Sequence, residues 1–227
     1  VYRERASAFP GAVVWTASRT GGQAPYPVLP DGCMDLLWSE GRLIVAGPDR
    51  RAYLPESGAD VSGIRFAPGT APALLGVPAH ELLDQRVELS ELWPAGRVRR
   101  LAGRIGAAGD ARTGLEELAL TLDTAPPDPA LRHTAKLLAE GATVAEAAAV
   151  TGLGARTLHR RSLVAFGYGP KTLARILRLQ RALGLARAGV PVAAAAAATG
   201  YADQAHLSRD VRDLTGMTLG ALLALRS

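Results

Sequence analysis

A ten-residue run in the last third of the chain occurs twice. "VAEAAAVTGL", residues 144 to 153, aligns with "VAAAAAATGY", residues 192 to 201, at an offset of 48. One inserted residue later the register resumes at 49: Leu158 falls on Leu207, Arg160 on Arg209, Gly167 on Gly216 and Leu173 on Leu222. Each copy reads as a small-residue helix, a Thr-Gly turn, a polar helix with an aliphatic stripe and a closing glycine, so the region folds as two copies of one helical unit. The boundaries have local chemistry. Thr143 with Glu146 forms a capping box, Pro191 precedes the second small-residue helix, and Gly152 and Gly200 supply tight turns between helices. Between the copies, "PKTLARILRLQRALGLARAG" reads as a linker helix. Roughly fifteen residues at ~1.5 Å each predict about 22 Å, with Leu173, Ile176, Leu177, Leu179 and Leu183 inward and Arg175, Arg178 and Arg181 turned outward.

Charge is divided as unevenly as pattern. Residues 1 to 130 carry 13 basic and 16 acidic side chains, net −3; residues 131 to 227 carry 13 and 5, net +8, almost all of it arginine. The guanidinium fork suits phosphate and base edges, so the repeat region is predicted to bind a polyanion. The Pro-rich "DTAPPDPA" separates the two regions and predicts a boundary crossed by few contacts, with domains at 1–125 and 126–227.

The repeat, with "LGARTLHRRSLVAFGYGPKTLARILRLQRAL" followed by "TGYADQAHLSRDVRDLTGMTLGALL", resembles the paired helix-turn-helix DNA-binding domain of AraC/XylS-type transcription regulators. The resemblance covers about the last hundred residues. It implies double-stranded DNA as partner, with the second helix of each unit entering a major groove and the two insertions about one turn, ~34 Å, apart. Carried onto this sequence, it places Arg156, Thr157, His159 and Arg160 on the exposed side of the first reading helix. On the second it places Gln204, His206, Ser208 and Arg209, after Asp203 as N-cap. Arginine can bond guanine O6 and N7 together, and glutamine adenine N6 and N7. Arg161, Arg175, Arg178 and Arg212 are assigned to phosphate or solvent. The sequence departs from the family where Ser162 and Leu163 occupy positions that relatives fill with phenylalanine, and where Leu219 replaces a proline. The resemblance further implies an activator that contacts RNA polymerase, is controlled by a small-molecule effector, and forms a homodimer.

The N-terminal half reads as strands followed by helices. "AVVWTA", "CMDLLW", "RLIVAG" and "VSGIRF" are short β-rich runs parted by Pro and Gly, and "APALLG", "PAHELLDQ", "AGRVRRLAGRIGAA" and "GLEELALTLDTA" have helical period. The fold class is therefore α+β: a small N-terminal β-barrel or sandwich with flanking helices, followed by an all-α domain of two helix-turn-helix units joined by a linker helix. "LPDGCMDLLW" and "GIRFAPGTAPALLGVPAHEL" resemble the sensor-like domain that accompanies this DNA-binding module in one branch of the family, which implies a cupin-like barrel able to hold one small ligand.

Asp35 and Arg65 are charges inside apolar strand patterns and are the candidate ligand-binding pair, with Cys33 beside them. The alternative to a ligand sensor is an enzymatic N-terminal domain, or a Cys33-based redox or electrophile sensor. A single cysteine supports no disulfide and no zinc–cysteine framework, and only His80 and His133 lie outside the reading helices. No catalytic group, metal or cofactor is therefore expected. The apolar runs are too short or too charged to span a bilayer, and no signal core opens the chain, which predicts a cytoplasmic protein.

Overall fold

The structure is a computed structural model and describes residues 2–18, 26–55, 60–122 and 126–225. The expected boundary at 125/126 falls at the edge of residues outside this set. The N-terminal half is one six-stranded antiparallel sheet of β1 (Tyr2–Ala6), β2 (Ala12–Ala17), β3 (Met34–Ser39), β4 (Arg42–Ala46), β5 (Val61–Phe66) and β6 (Arg86–Glu88), in the order β1-β2-β5-β3-β4-β6. The α+β class holds. Among the described residues the strands form a single sheet, with β1 and β6 at opposite edges and unpaired to each other.

The register explains which face is buried. Val14, Ile64, Leu36 and Val45 stand in one row across four strands, and all are at most 3% exposed. Their alternation with half-exposed neighbours is the period of two expected of a sheet covered on one side. The cover consists of α1 (Ala71–Leu75), a 3₁₀ turn (Ala79–Leu82), α2 (Leu89–Leu92), α3 (Ala95–Ala107) and α4 (Ala111–Thr121), which bring Leu74, Leu82, Leu89, Val98, Ile105, Leu115 and Leu118 into this core. At Gly114 of α4 a Cβ would approach the Ile105 backbone to 2.9 Å, so a bare glycine lets α3 and α4 meet. Edge strand β1 is exposed along its whole length and is fastened to α4 by the paired Arg5–Glu116 contact, both nitrogens at 3.1 Å.

The C-terminal half is helical throughout: α5 (Pro129–Glu140), α6 (Val144–Thr151), α7 (Ala155–Phe166), α8 (Pro170–Arg187), α9 (Val192–Ala198), α10 (Gln204–Thr215) and α11 (Leu219–Ala224). The Pro-rich stretch is in part a helix start, with Asp128 accepting from the Ala130 N–H and Pro129 in the first turn of α5. The linker helix α8 has 18 residues, about 27 Å at ~1.5 Å each, and so is longer than the sequence suggested. Its Leu173, Ile176, Leu179 and Leu183 are fully buried at the centre of the second core. Among the described residues, no helix is long and apolar enough to cross a membrane.

Contacts between the halves are many, contrary to the expectation drawn from the Pro-rich stretch. Leu29 and Leu83 pack into the C-terminal core, and the 3₁₀ turn and α1 lie against α7. The reason is legible in the repeat itself. Where α10 carries Arg212, exposed, α7 carries Leu163, half-buried, and at this position α7 meets the N-terminal half, with His80 Nδ1 lying 3.3 Å from the Leu163 carbonyl oxygen.

Candidate nucleic-acid interface and effector cluster

The two units share a construction. α6 ends on Gly152 at φ +67° and α7 begins three residues later, at Ala155; α9 ends on Thr199, followed by Gly200 at φ +81°, and α10 begins at Gln204. A left-handed backbone at both turns favours glycine, which has no Cβ to clash. Asp203 caps α10, accepting the His206 N–H at 2.6 Å, as the sequence indicated. Leu158 and Leu207, at repeat-equivalent positions, are fully buried and seat each second helix.

With those stripes facing inward, Arg156, His159 and Arg160 on α7 and Gln204 and Arg209 on α10 are exposed, while Thr157, His206 and Ser208 are half-buried. Arg156, Arg160, Arg209 and Arg212 enter no ion pair or hydrogen bond among the described residues. The histidines are more constrained. His159 leans over Gly169, where a Cβ would come within 2.8 Å of its ring; His206 stands edge-on to Tyr201 at 5.1 Å. Gln204, Ser208 and Arg212, spaced four apart, edge a shallow groove of about 360 Å³ whose other side is Val192, Leu219 and Leu223.

Three arginines assigned to phosphate or solvent are instead structural. Arg175 and Arg178 both reach Asp210, at 2.7 and 3.1 Å, and Arg161 pairs with Asp128. Asp210 also accepts from the Tyr201 hydroxyl at 3.0 Å, and the Arg178 guanidinium lies 4.2 Å from the Tyr201 ring centre. Burial pushes the Asp210 carboxyl up, but the hydrogen bond and charge of Arg175, with Tyr201 and Arg178, outweigh it and hold the group below the usual carboxylate range. Burial is the main cause that lifts the Tyr201 hydroxyl to about 12. Asp210 was the residue the sequence reading missed. The signal was an acid on the aliphatic stripe side of α10, at the position where the first unit has Arg161. Arg181 caps rather than reads, donating to the Ala139 carbonyl at the end of α5 at 3.0 Å.

On the sheet face away from the main core, Asp35 and Arg65 are cross-strand neighbours, as their pattern suggested. Arg65 Nε lies 3.3 Å from Asp35 and 3.4 Å from Asp31, and Asp35 accepts from the Trp15 indole N–H at 2.7 Å. The Tyr2 ring lies 5.9 Å from that of Trp15. Burial raises the Asp35 carboxyl against the downward pull of Arg65. Among the described residues Arg65 donates a hydrogen bond through Nε to Asp35 Oδ2 at 3.4 Å, and its side chain is 25% exposed. Cys33 is adjacent, its backbone N–H donated to the Asp31 carboxylate at 2.8 Å. Burial, reinforced by Asp31, pushes its thiol well above the ordinary value, which keeps it protonated and a poor nucleophile.

Two units of capped, small-residue helix and outward-polar helix, joined by a buried linker helix, define a paired helix-turn-helix domain. A family model described as a helix-turn-helix domain matches residues 147–224, and one described as a domain of unknown function (DUF6597) matches residues 12–88. The chain thus matches a helix-turn-helix domain over its C-terminal part and the second family over most of its sheet. Solved structures of ToxT from Vibrio cholerae are similar along most of their length. An apo ToxT variant is 10% identical, with 96% of this chain and 98% of that chain covered and a TM-score of 0.49. Wild-type ToxT described as bound to an unsaturated fatty acid is 10% identical, with 93% and 94% covered and a TM-score of 0.45. No curated protein matches the chain.

Proposed function

We propose that the protein is a sequence-specific transcription regulator that inserts α7 and α10 into successive major grooves of duplex DNA, under control of a small molecule held at Asp35 and Arg65. One observation carries this reading. Among the described residues of the C-terminal half, Arg161, Arg175, Arg178, Arg181 and Arg187 are tied into the fold, whereas Arg132 on α5 and Arg156, Arg160, Arg209 and Arg212 are left free, so that four of the five free ones lie on the two equivalent helices. Guanidiniums left without acidic partners on a protruding helix offer charge and hydrogen-bond donors to phosphate and base edges. Within the set, Arg156 and Gln204 stand in the first turn of their helices and read bases, joined by Thr157, His159 and Arg160 on α7 and His206, Ser208 and Arg209 on α10. Arg212, two turns further along, grips backbone.

The effector reading rests on a cluster on the sheet face away from the main core, where the Trp15 ring lies 5.9 Å from the Arg65 guanidinium and both meet the partly buried Asp35 carboxylate. The protein acts as an activator through contact with RNA polymerase. Selection of bound sequences from random duplex DNA by the full chain tests the reading. A recovered site with two recognisable blocks about one helical turn apart supports it, and recovery of no sequence preference rejects it.

A further inference from the structure

Two segments of the N-terminal half leave the sheet and lie along the linker helix. The first, residues 26–33, precedes β3; the second, residues 48–54, follows β4. Val28 and Tyr53 join them through a pair of backbone hydrogen bonds of 2.8 and 2.9 Å. Each is anchored at its base by arginine. Asp31 of the first is held by Arg65 of β5; Asp49 of the second is gripped by both terminal nitrogens of Arg86 of β6, at 2.9 and 2.7 Å, and the same guanidinium stacks on Tyr53 at 4.1 Å.

The far sides of these segments contact the linker helix and the second unit. The Gln180 amide of α8 donates to the Pro30 carbonyl at 2.6 Å, and Arg187, at the end of α8, donates to the Tyr26 hydroxyl at 3.1 Å. The Ala52 N–H donates at 2.7 Å to the Leu214 carbonyl in the last turn of α10, a group that α10 itself cannot satisfy. At Gly32 a Cβ would come within 2.8 Å of Leu173, which is the closeness of the fit. The first unit is held from the same body, because α7 rests on the 3₁₀ turn and Gly167 lies against Pro48.

From this geometry we infer that segments 26–33 and 48–54 form a brace that fixes the separation and rotation of α7 and α10, so that the N-terminal half sets which spacing of half-sites the protein accepts. The linker helix holds the second unit on one side, through the shared core and the pairing of Arg175 and Arg178 with Asp210. Hydrogen bonds at the middle of α8, at its end and at the end of α10 add a second, independent attachment from the N-terminal half. The part of the inference that concerns DNA spacing rests on the reading of the two helices given above; the part that concerns geometry does not.

The test uses the full chain in two arms. Spin labels at Arg160→Cys and Arg209→Cys, in a Cys33→Ala background, report the distance between the reading helices without DNA. A narrow distribution that broadens in Gln180→Ala with Arg187→Ala supports the brace, and equal widths overturn it. Adding Ala52→Pro, with its fold checked by circular dichroism, should broaden the distribution further. The second arm inserts one base pair between the two blocks of a selected site. Because one base pair rotates the second block by about a tenth of a turn, the braced protein should lose about tenfold or more in affinity and the side-chain variant clearly less. Equal losses overturn the spacing role. If no selected site exists, the DNA-reading proposal fails while the distance arm still decides the brace.

Discussion

Arg175 and Asp210 meet at 2.7 Å, joining the linker helix α8 to the middle of α10, with Asp210 almost fully enclosed. The same carboxylate holds Arg178 and the Tyr201 hydroxyl, so one acid fixes the second unit to the linker. Asp210→Asn keeps the shape and removes the charge. It should cost on the order of 3 kcal/mol, because two arginines are left beside a neutral amide in a partly buried site. Urea unfolding of the full chain measures this; a cost within about 0.5 kcal/mol, the range of surface changes, would show that solvent already screens the cluster.

Ser162 is fully buried and its hydroxyl has no partner among the described residues, while the equivalent position in the second unit is Val211. Leaving a buried hydroxyl unpaired costs roughly 1–3 kcal/mol. Ser162→Ala should therefore stabilise the protein by about 1 kcal/mol, the gain being reduced by the small space left behind. A lower midpoint in the same urea assay would indicate a partner for the hydroxyl.

Glu116 is held at a pKa of about 2, chiefly by its hydrogen bond to Arg5, against an ordinary value of 4.5. A lowered carboxyl stabilises the fold above its unfolded pKa and loses that contribution as pH falls towards the folded value. The difference in stability between the protein and Arg5→Ala should thus be full above pH 5 and shrink between about 4.5 and 2. Since Arg5 is 44% exposed, the plateau should be only about 1 kcal/mol. A difference that is flat through this window would place the interaction elsewhere.

Gln204→Ala should cost ~1 to 3 kcal/mol on the best DNA site and relax preference at one base pair. Arg212→Ala should weaken all sequences about equally and lower the salt slope by about one. Binding titrations on single-base variants at several salt concentrations separate the two. Loss of affinity without loss of preference in both would make α10 a backbone clamp.

A fragment of residues 126–227 would bare the faces of Phe166, Tyr168 and Leu173 that the N-terminal half now covers. It should unfold at lower urea than the full chain and bind 1-anilinonaphthalene-8-sulfonate more strongly. Identical midpoints would mean that the contacts between the halves carry no stability.

The sequence revealed the repeat because both units rely on residues with local signatures: glycine at positive φ, Thr143 and Asp203 as caps, leucines at helical spacing. Strands Ala12–Ala17 and Val61–Phe66 were legible through equally local signals, short runs rich in β-branched and aromatic residues parted by Pro and Gly. What escaped reading was set at long range. Edge strand β1 is exposed along its length and has no alternation to show, and β6 spans three residues. The pairing of Asp210 with Arg175 and Arg178 spans more than thirty residues, and a list of arginines does not reveal which are already engaged. The free set on α7 and α10 became visible only by subtraction.

At Gly69, with φ +84°, a Cβ would come 3.1 Å from the Phe166 ring, the last residue of the first reading helix. A residue in one half is thus shaped to an aromatic in the other, and neither can drift without its counterpart. Chimeras that graft a foreign N-terminal half onto this helical half at residue 125 would inherit a mismatched seat for Phe166. The two halves are therefore constrained to diversify as a matched pair, with recombination at the Pro-rich stretch penalised even though it leaves every helix intact.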